Sequence, residues 1–236
     1  MQIEHLIIDK AIDKRNKDVI NLLLDNIDEN CLQNGQKRSL LRRIRYTFDD
    51  LDMYKKVPNV LNPNLDNYSC KETELINVAQ SVSTKHKKEI LKLLIERGVK
   101  INKVDNYSFR LPALQHYLTT TDKIDDEIIK LFLDHGADIN AVNKNGDNYL
   151  MCIISPHYYG YYCYYYKVIP DNTKYLINKY GLNIKVRNKK GQSLMEIIEE
   201  KKAELNDGSY SYYKPDVIGE CCNALKTLYL SQTGGI

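Results

Sequence analysis

The sequence predicts an all-α fold, a solenoid of about six stacked helix–turn–helix units. Three observations lead there: apolar segments of helical period that end in a glycine recur, turn residues follow each at a near-constant offset, and the composition disfavours sheets. Gly and Pro number 11 and 6 in 236 residues, well below the roughly 12% of average chains. An all-β sandwich needs a turn every 8–12 residues or so. No apolar run approaches the ~18 residues of a membrane span, and residues 1–5 lack the basic start of a signal peptide.

The recurrence is clearest at 89–98, 127–136 and 172–181, which end in Gly98, Gly136 and Gly181. Each places apolar residues at helical spacing and a glycine where a helix needs a left-handed residue past its end. Related hexapeptides follow from Val99, Ala137 and Leu182, then turn residues at 105–106, 143–146 and 188–191, then a second short apolar helix. Anchoring on the apolar residue before each turn gives Leu32, Leu65, Val104, Val142 and Val186, at spacings of 33, 39, 38 and 44.

In chain order, 1–31 reads as an N-terminal cap of two helices, 4–14 and 18–26. Internal units 32–64, 65–103, 104–141 and 142–185 follow, and 186–236 closes the stack with helices 193–205 and 216–230. The whole of 1–236 is read as one domain. In each unit the first helix is expected on the concave side with the second behind it, and stacking supplies the core that no unit has alone. Pro58 stands where the outer helix of its unit is expected to end. The charged stretches 9–17 and Lys201-Lys202 suit caps that face water.

A base period of 33 with two helices and a β-turn is the signature of ankyrin repeats. Residues 131–140, Leu-Phe-Leu-Asp-His-Gly-Ala-Asp-Ile-Asn, resemble the second helix and finger strand of such a repeat. Residues 145–150 and 191–195 resemble the family's G-x-T-P-L opening, and 111–114 keeps its proline. The irregular lengths and the Lys, Asn, Ile and Tyr content look like poxvirus host-range ankyrin proteins. That resemblance implies a non-enzymatic module that binds a host defence or ubiquitin-pathway protein in the cytoplasm of an infected cell. Many such proteins end in an F-box-like segment, for which 186–236, read as a capping repeat, leaves no room. An intracellular bacterial effector or another large DNA virus would give a similar composition.

The residues beyond 33 per unit fall mostly between the two helices, at 81–86, 119–123 and 155–170, with a similar break at 206–215. In repeat proteins such insertions line one face, often the binding face. Two of them hold ten of the 19 tyrosines: Tyr158, Tyr159, Tyr161, Tyr162, Tyr164, Tyr165 and Tyr166 in one, Tyr210, Tyr212 and Tyr213 in the other. Tyrosine gives a large rigid contact area with one polar handle and is enriched at interfaces. These ten are the candidate partner-binding residues. The competing reading is that they cover the tops of the helices, with codon bias supplying the tyrosine.

The basic run is 37–45, in which Arg38, Arg42 and Arg45 share a helix face at i, i+4, i+7. It is an alternative site for an anion or nucleic-acid phosphates. The bland alternative is a solvated face balanced by Asp49, Asp50 and Asp52. A net charge of +3 from 34 basic and 31 acidic residues argues neither for nor against a nucleic-acid partner. No P-loop, G-x-G-x-x-G, G-x-S-x-G or H-E-x-x-H motif occurs, so no enzyme activity and no cofactor are expected. The five histidines stand in different units, His135 reads as a structural cation near a helix end, and His157 with Cys163 lacks a second ligand pair, so no metal is expected. The six cysteines are scattered and are expected reduced. Of the adjacent Cys221 and Cys222, at least one is expected buried. The protein alone is expected to be a monomer.

Overall fold

The computed structural model describes residues 2–28, 30, 32–48, 50–61, 73–81, 85–105, 110–155, 168–206 and 215–234. Among them are twelve helices and no strand. Where finger strands are expected, the described residues carry an isolated antiparallel bridge between Arg187 and Ser193. Contacts divide the chain into residues 1–100 and 101–236.

The first unit holds α1 (Gln2–Asp13), α2 (Lys17–Asn26), α3 (Asn34–Phe48), α4 (Leu51–Leu61), α5 (Glu74–Gln80) and α6 (Lys87–Glu96). They form three successive pairs, with α1 against α3 and α2 against α4, which also meets α6. Helix starts follow local chemistry: the Asn16 side chain accepts from Val19 N at 3.1 Å and Thr73 Oγ1 from Ile76 N at 3.2 Å, each filling an otherwise unpaired donor of the first turn. Ile12, Ile20, Leu24, Leu41, Ile44 and Val57 lie in the core, where a large aliphatic side chain contributes about 1.5–3 kcal/mol. Pro58 does not end its helix. α4 continues to Leu61 around it, and the cost is the bond the proline cannot donate to the carbonyl four residues back.

The second unit holds α7 (Ala113–Thr120), α8 (Asp126–Asp134), α9 (Tyr149–Ile154), α10 (Ile169–Tyr180), α11 (Leu194–Asn206) and α12 (Pro215–Thr233). The first helices stack in order, α7 on α9 and α9 on α11, while behind them α10 packs on α12. α8 and α10 end in the expected left-handed glycines, Gly136 at φ +85° and Gly181 at φ +68°. α11 starts in a reciprocal cap: Glu196 Oε2 accepts from Ser193 N, and Ser193 Oγ accepts from Glu196 N at 3.4 Å.

The turns set the repeat phase. Asn143 Oδ1 accepts from Asn145 N and Asp147 N at 2.8 and 3.0 Å, and Asn188 Oδ1 accepts from Lys190 N and Gln192 N at 3.0 and 2.9 Å. Asn188 is therefore the counterpart of Asn143, and Arg187, not Val186, occupies the place of Val142. The turns touch through Lys189 N, which donates to Asn145 O at 2.8 Å. A side-chain ladder repeats the contact: Asn102 Nδ2 donates to Gly136 O at 2.8 Å, and Asn140 Nδ2 to Gly181 O at 3.3 Å.

Two expectations about exposure are corrected. Every residue of α7 and of α9 is buried, so neither first helix offers an open concave face. α9 is apolar all round, the pattern of a buried helix. Polar groups of α7 find partners inside: Gln115 Nε2 donates to Asp138 O at 2.7 Å, and the Thr119 and Thr120 hydroxyls to His116 O at 2.8 and 3.0 Å. Lys201, expected in water, is buried, its Nζ 3.9 Å from Glu204.

Candidate interaction surface

The ten candidate tyrosines, Tyr158 to Tyr166 and Tyr210 to Tyr213, lie outside the described residues, as do His157 and Cys163. The helix ends from which their segments depart are described. The connections 155–168 and 207–214 both leave a first helix for its second, one after α9 and one after α11, and those first helices stack directly. The shorter connection 121–125 leaves α7, the next first helix in the stack. All three segments therefore depart from one end of the stacked row.

The three arginines do not form an open cationic face. Arg38 and Arg45 are only 7% and 6% exposed, and Arg42 is half-buried. Arg45 Nε lies 3.4 Å from Glu74 Oε1, and its Nη1 donates to Asn77 O at 3.3 Å. The same carboxylate oxygen accepts from Tyr54 at 3.2 Å, and the Arg45 guanidinium covers the ring of exposed Tyr46 at 4.6 Å. A carboxylate already neutralises Arg45, so little of its field reaches a phosphate backbone. The half-buried Arg43 binds Asp9 and Asp13.

An exposed tyrosine cluster that the sequence reading missed joins α8 to α10. Tyr175 and Tyr180 hydroxyls both donate to Asp126 Oδ1, at 2.6 and 2.7 Å, and Lys179 pairs with Asp126 Oδ2. The Lys179 ammonium stands 5.1 and 5.6 Å from the two ring centroids, which meet edge to face at 6.4 Å. The hydrogen bonds from Lys179, Tyr175 and Tyr180 hold the Asp126 carboxyl down at about 2. Burial, then the Asp126 hydrogen bond, pushes the Tyr180 phenol up to about 12. The i, i+4 spacing of Tyr175 and Lys179 was legible; Asp126, 49 residues away from Tyr175, was not.

A buried polar row runs along the turns. His116 Nε2 lies 2.6 Å from Asp105 Oδ2, with both side chains fully buried, and Leu111 N donates to the same oxygen at 3.3 Å. Asn188 Nδ2 donates to Asp147 Oδ1 at 2.9 Å, and Asn143 Nδ2 reaches Cys152 Sγ at 3.4 Å. Burial pushes the Cys152 thiol well above its ordinary range, the reverse of what a nucleophile needs. The row therefore ties turns to helices. His135 Nδ1 bonds Leu131 O at 2.8 Å at the end of α8. Cys221 and Cys222 are both buried, and burial raises Cys222 to about 11. No group of three or more metal-ligating side chains occurs among the described residues. No described helix is long and apolar enough to cross a membrane.

No protein-family model matches the chain, and no curated protein does. Solved structures do. A chain of the complex between the Bd0816 predatory endopeptidase from Bdellovibrio bacteriovorus and immunity protein Bd3460 aligns with TM-score 0.58 at 16% identity, over 91% of this chain and 97% of that one. EF0377, an ankyrin repeat protein, aligns with TM-score 0.56 at 16% identity, over 88% of this chain and 98% of its own. Helices in stacked pairs, left-handed glycines closing α8 and α10, and these neighbours together give the chain the all-α ankyrin-repeat fold.

Proposed function

We propose that the protein is a non-enzymatic protein-binding module whose contact surface is the row of connections between paired helices, with the ten tyrosines at its centre. One observation carries the reading: the two tyrosine-bearing connections depart from α9 and α11, first helices that stack on each other. Connections that leave adjacent repeats at one end share a face, and aromatic side chains there suit a protein partner. The burial of α7 and α9 favours this row over the concave helices. The resemblance to poxvirus host-range ankyrin proteins supports a host defence or ubiquitin-pathway partner and a cytoplasmic site of action.

The test replaces Tyr159, Tyr162, Tyr165 and Tyr212 together with Ser, verifies an unchanged melting temperature, and compares proteins captured from cell lysate. Loss of the captured set is the expected result; an intact set would remove the tyrosines from the interface. Charge reversal at Arg42 is expected to leave capture unchanged. A loss there, with steep salt dependence, would restore the anion-binding alternative.

A further inference from the structure

The turns of residues 101–236 carry a cationic surface, away from the basic run at 37–45. Residues 185–190 read Lys-Val-Arg-Asn-Lys-Lys, four cations in six positions, in a chain whose net charge is only +3. The concentration is therefore local. Along this stretch exposure alternates: Leu182 and Ile184 are buried, while Asn183, Lys185, Arg187 and Lys189 face outward. Alternation marks an extended segment, in which residues two apart lie about 6.5–7 Å from each other on one side.

The backbone beneath these cations is fixed. Asn188 Oδ1 accepts from Lys190 N and Gln192 N, and Lys189 N donates to Asn145 O of the preceding turn at 2.8 Å. That contact brings Lys144 into the same patch. The turns correspond: Asp105 N donates to Leu111 O, Asn143 N to Asp147 O, and Asn188 N to Gln192 O. Val104, Val142 and Arg187, each just before its turn, therefore form one row across three repeats. Val104 and Val142 are exposed, so the row runs from apolar to basic.

The acids nearby leave most of this charge uncompensated. Glu196 pairs with Arg187 at 3.1 Å, Glu200 accepts from Gln192 at 2.6 Å, and buried Asp147 accepts from Asn188 at 2.9 Å. Among the described residues no carboxylate pairs with Lys144, Lys185, Lys189 or Lys190, and all four are exposed.

We propose that this surface docks an extended acidic segment of a protein partner, with carboxylates on the four lysines and an apolar side chain against Val142. Carboxylates at alternate positions of an extended chain repeat at the spacing of Lys185, Arg187 and Lys189. The exposed valines favour a peptide over a nucleic acid, and the described turn residues include no aromatic ring on which a base could stack. An exposed ion pair contributes little alone and is screened by salt. Four cations on a preorganised backbone act together, because little ordering remains to be done on binding.

The proposal rests on the protein-binding role inferred above and adds a second contact to it. The turns precede α9 and α11, and the tyrosine-bearing connections leave the far ends of the same helices. The two surfaces therefore lie at opposite ends of those helices, and each can fail without the other.

The test is fluorescence anisotropy of the 236-residue chain with a dye-labelled peptide of about eight residues, the ~25 Å reach of the patch, alternating Glu with Thr and ending in Val. Titration runs from about 1 µM to about 1 mM chain at low salt. The expected result is saturable binding, roughly tenfold weaker for the peptide with Gln in place of Glu and for the chain with Lys185→Glu and Lys189→Glu. Val142→Ser should weaken it roughly twofold. Lys130→Glu with Lys174→Glu, on α8 and α10, changes the net charge equally and should leave binding unchanged. So should Ser at Tyr159, Tyr162, Tyr165 and Tyr212, which separates failure of the tyrosine surface from failure of this one. The substituted lysines are exposed, and unchanged far-UV circular dichroism verifies the fold. Absence of saturable binding, or equal loss from both lysine pairs, overturns the proposal. Oligothymidylate of the same length binding more tightly than the acidic peptide overturns it in favour of a nucleic-acid surface.

Discussion

Asp105→Ala tests the buried row most directly. The Asp105 carboxylate accepts from His116 Nε2 at 2.6 Å and Leu111 N at 3.3 Å, and both acid and imidazole are fully buried. Removing the acceptor strands two donors where water cannot replace it. Each stranded donor costs about 1–3 kcal/mol, and breaking a buried pair by deleting one partner costs about 3–5 kcal/mol in total. The expected loss is therefore about 3–5 kcal/mol, a drop of about 10–17 °C in melting temperature for a unit the size of 101–236. Asp105→Asn keeps an oxygen in place for both donors, and its expected loss is about 1–2 kcal/mol. Urea unfolding followed by far-UV circular dichroism measures both variants against the parent chain. A loss below about 1 kcal/mol for the alanine variant would refute the assignment of Asp105 as the anchor of its turn. Equal losses for alanine and asparagine would refute the argument from acceptor geometry and leave the charge as the cause.

Three further outcomes are expected. Gly146→Ala places a Cβ 3.0 Å from Lys189 N and 3.1 Å from Asn188 Cα at φ +81°, whereas Gly136→Ala at φ +85° meets open space. Thermal melts should show a loss of about 2–3 kcal/mol for the first and about 1 kcal/mol for the second. Asp126 has its folded pKa lowered from 3.8 to about 2, so its contribution to stability is in place above 3.8 and is lost as pH falls through about 2. Carboxyl-carbon NMR should show Lys179→Ala and Tyr175→Phe each moving the midpoint back toward 3.8. Burial raises the thiols of Cys152, Cys221 and Cys222, and mass spectrometry after iodoacetamide treatment should find these three unmodified in the native chain and alkylated in denaturant.

The sequence was most legible where structure is local. The helix starts and ends of α1, α2, α11 and α12 fall within a few residues of the expected segments, because helical period and turn chemistry are short-range. The exceptions are residues whose placement is decided by their neighbours. Pro58 reads as a terminator, yet α4 carries it through, since packing of Tyr54 and Val57 in the core outweighs one missing bond. Lys201 reads as solvated from its charge, but its side of α11 is covered. The one-residue shift from Val186 to Arg187 became visible only through the matched hydrogen bonds of Asn143 and Asn188.

By itself, then, the sequence determined the all-α class and the pairing of short helices, both encoded within windows of about 40 residues. Tertiary structure alone decided which polar groups meet. Stacking brought Asp126 to Tyr175 and Tyr180, buried Arg45 against Glu74, and closed α7 and α9 on every side. It also left Leu6, Ile7, Val19 and Leu22 outside. The physical reason is common to all of these. A periodic pattern says which face of a helix is apolar, but exposure is fixed by what the neighbouring repeat covers.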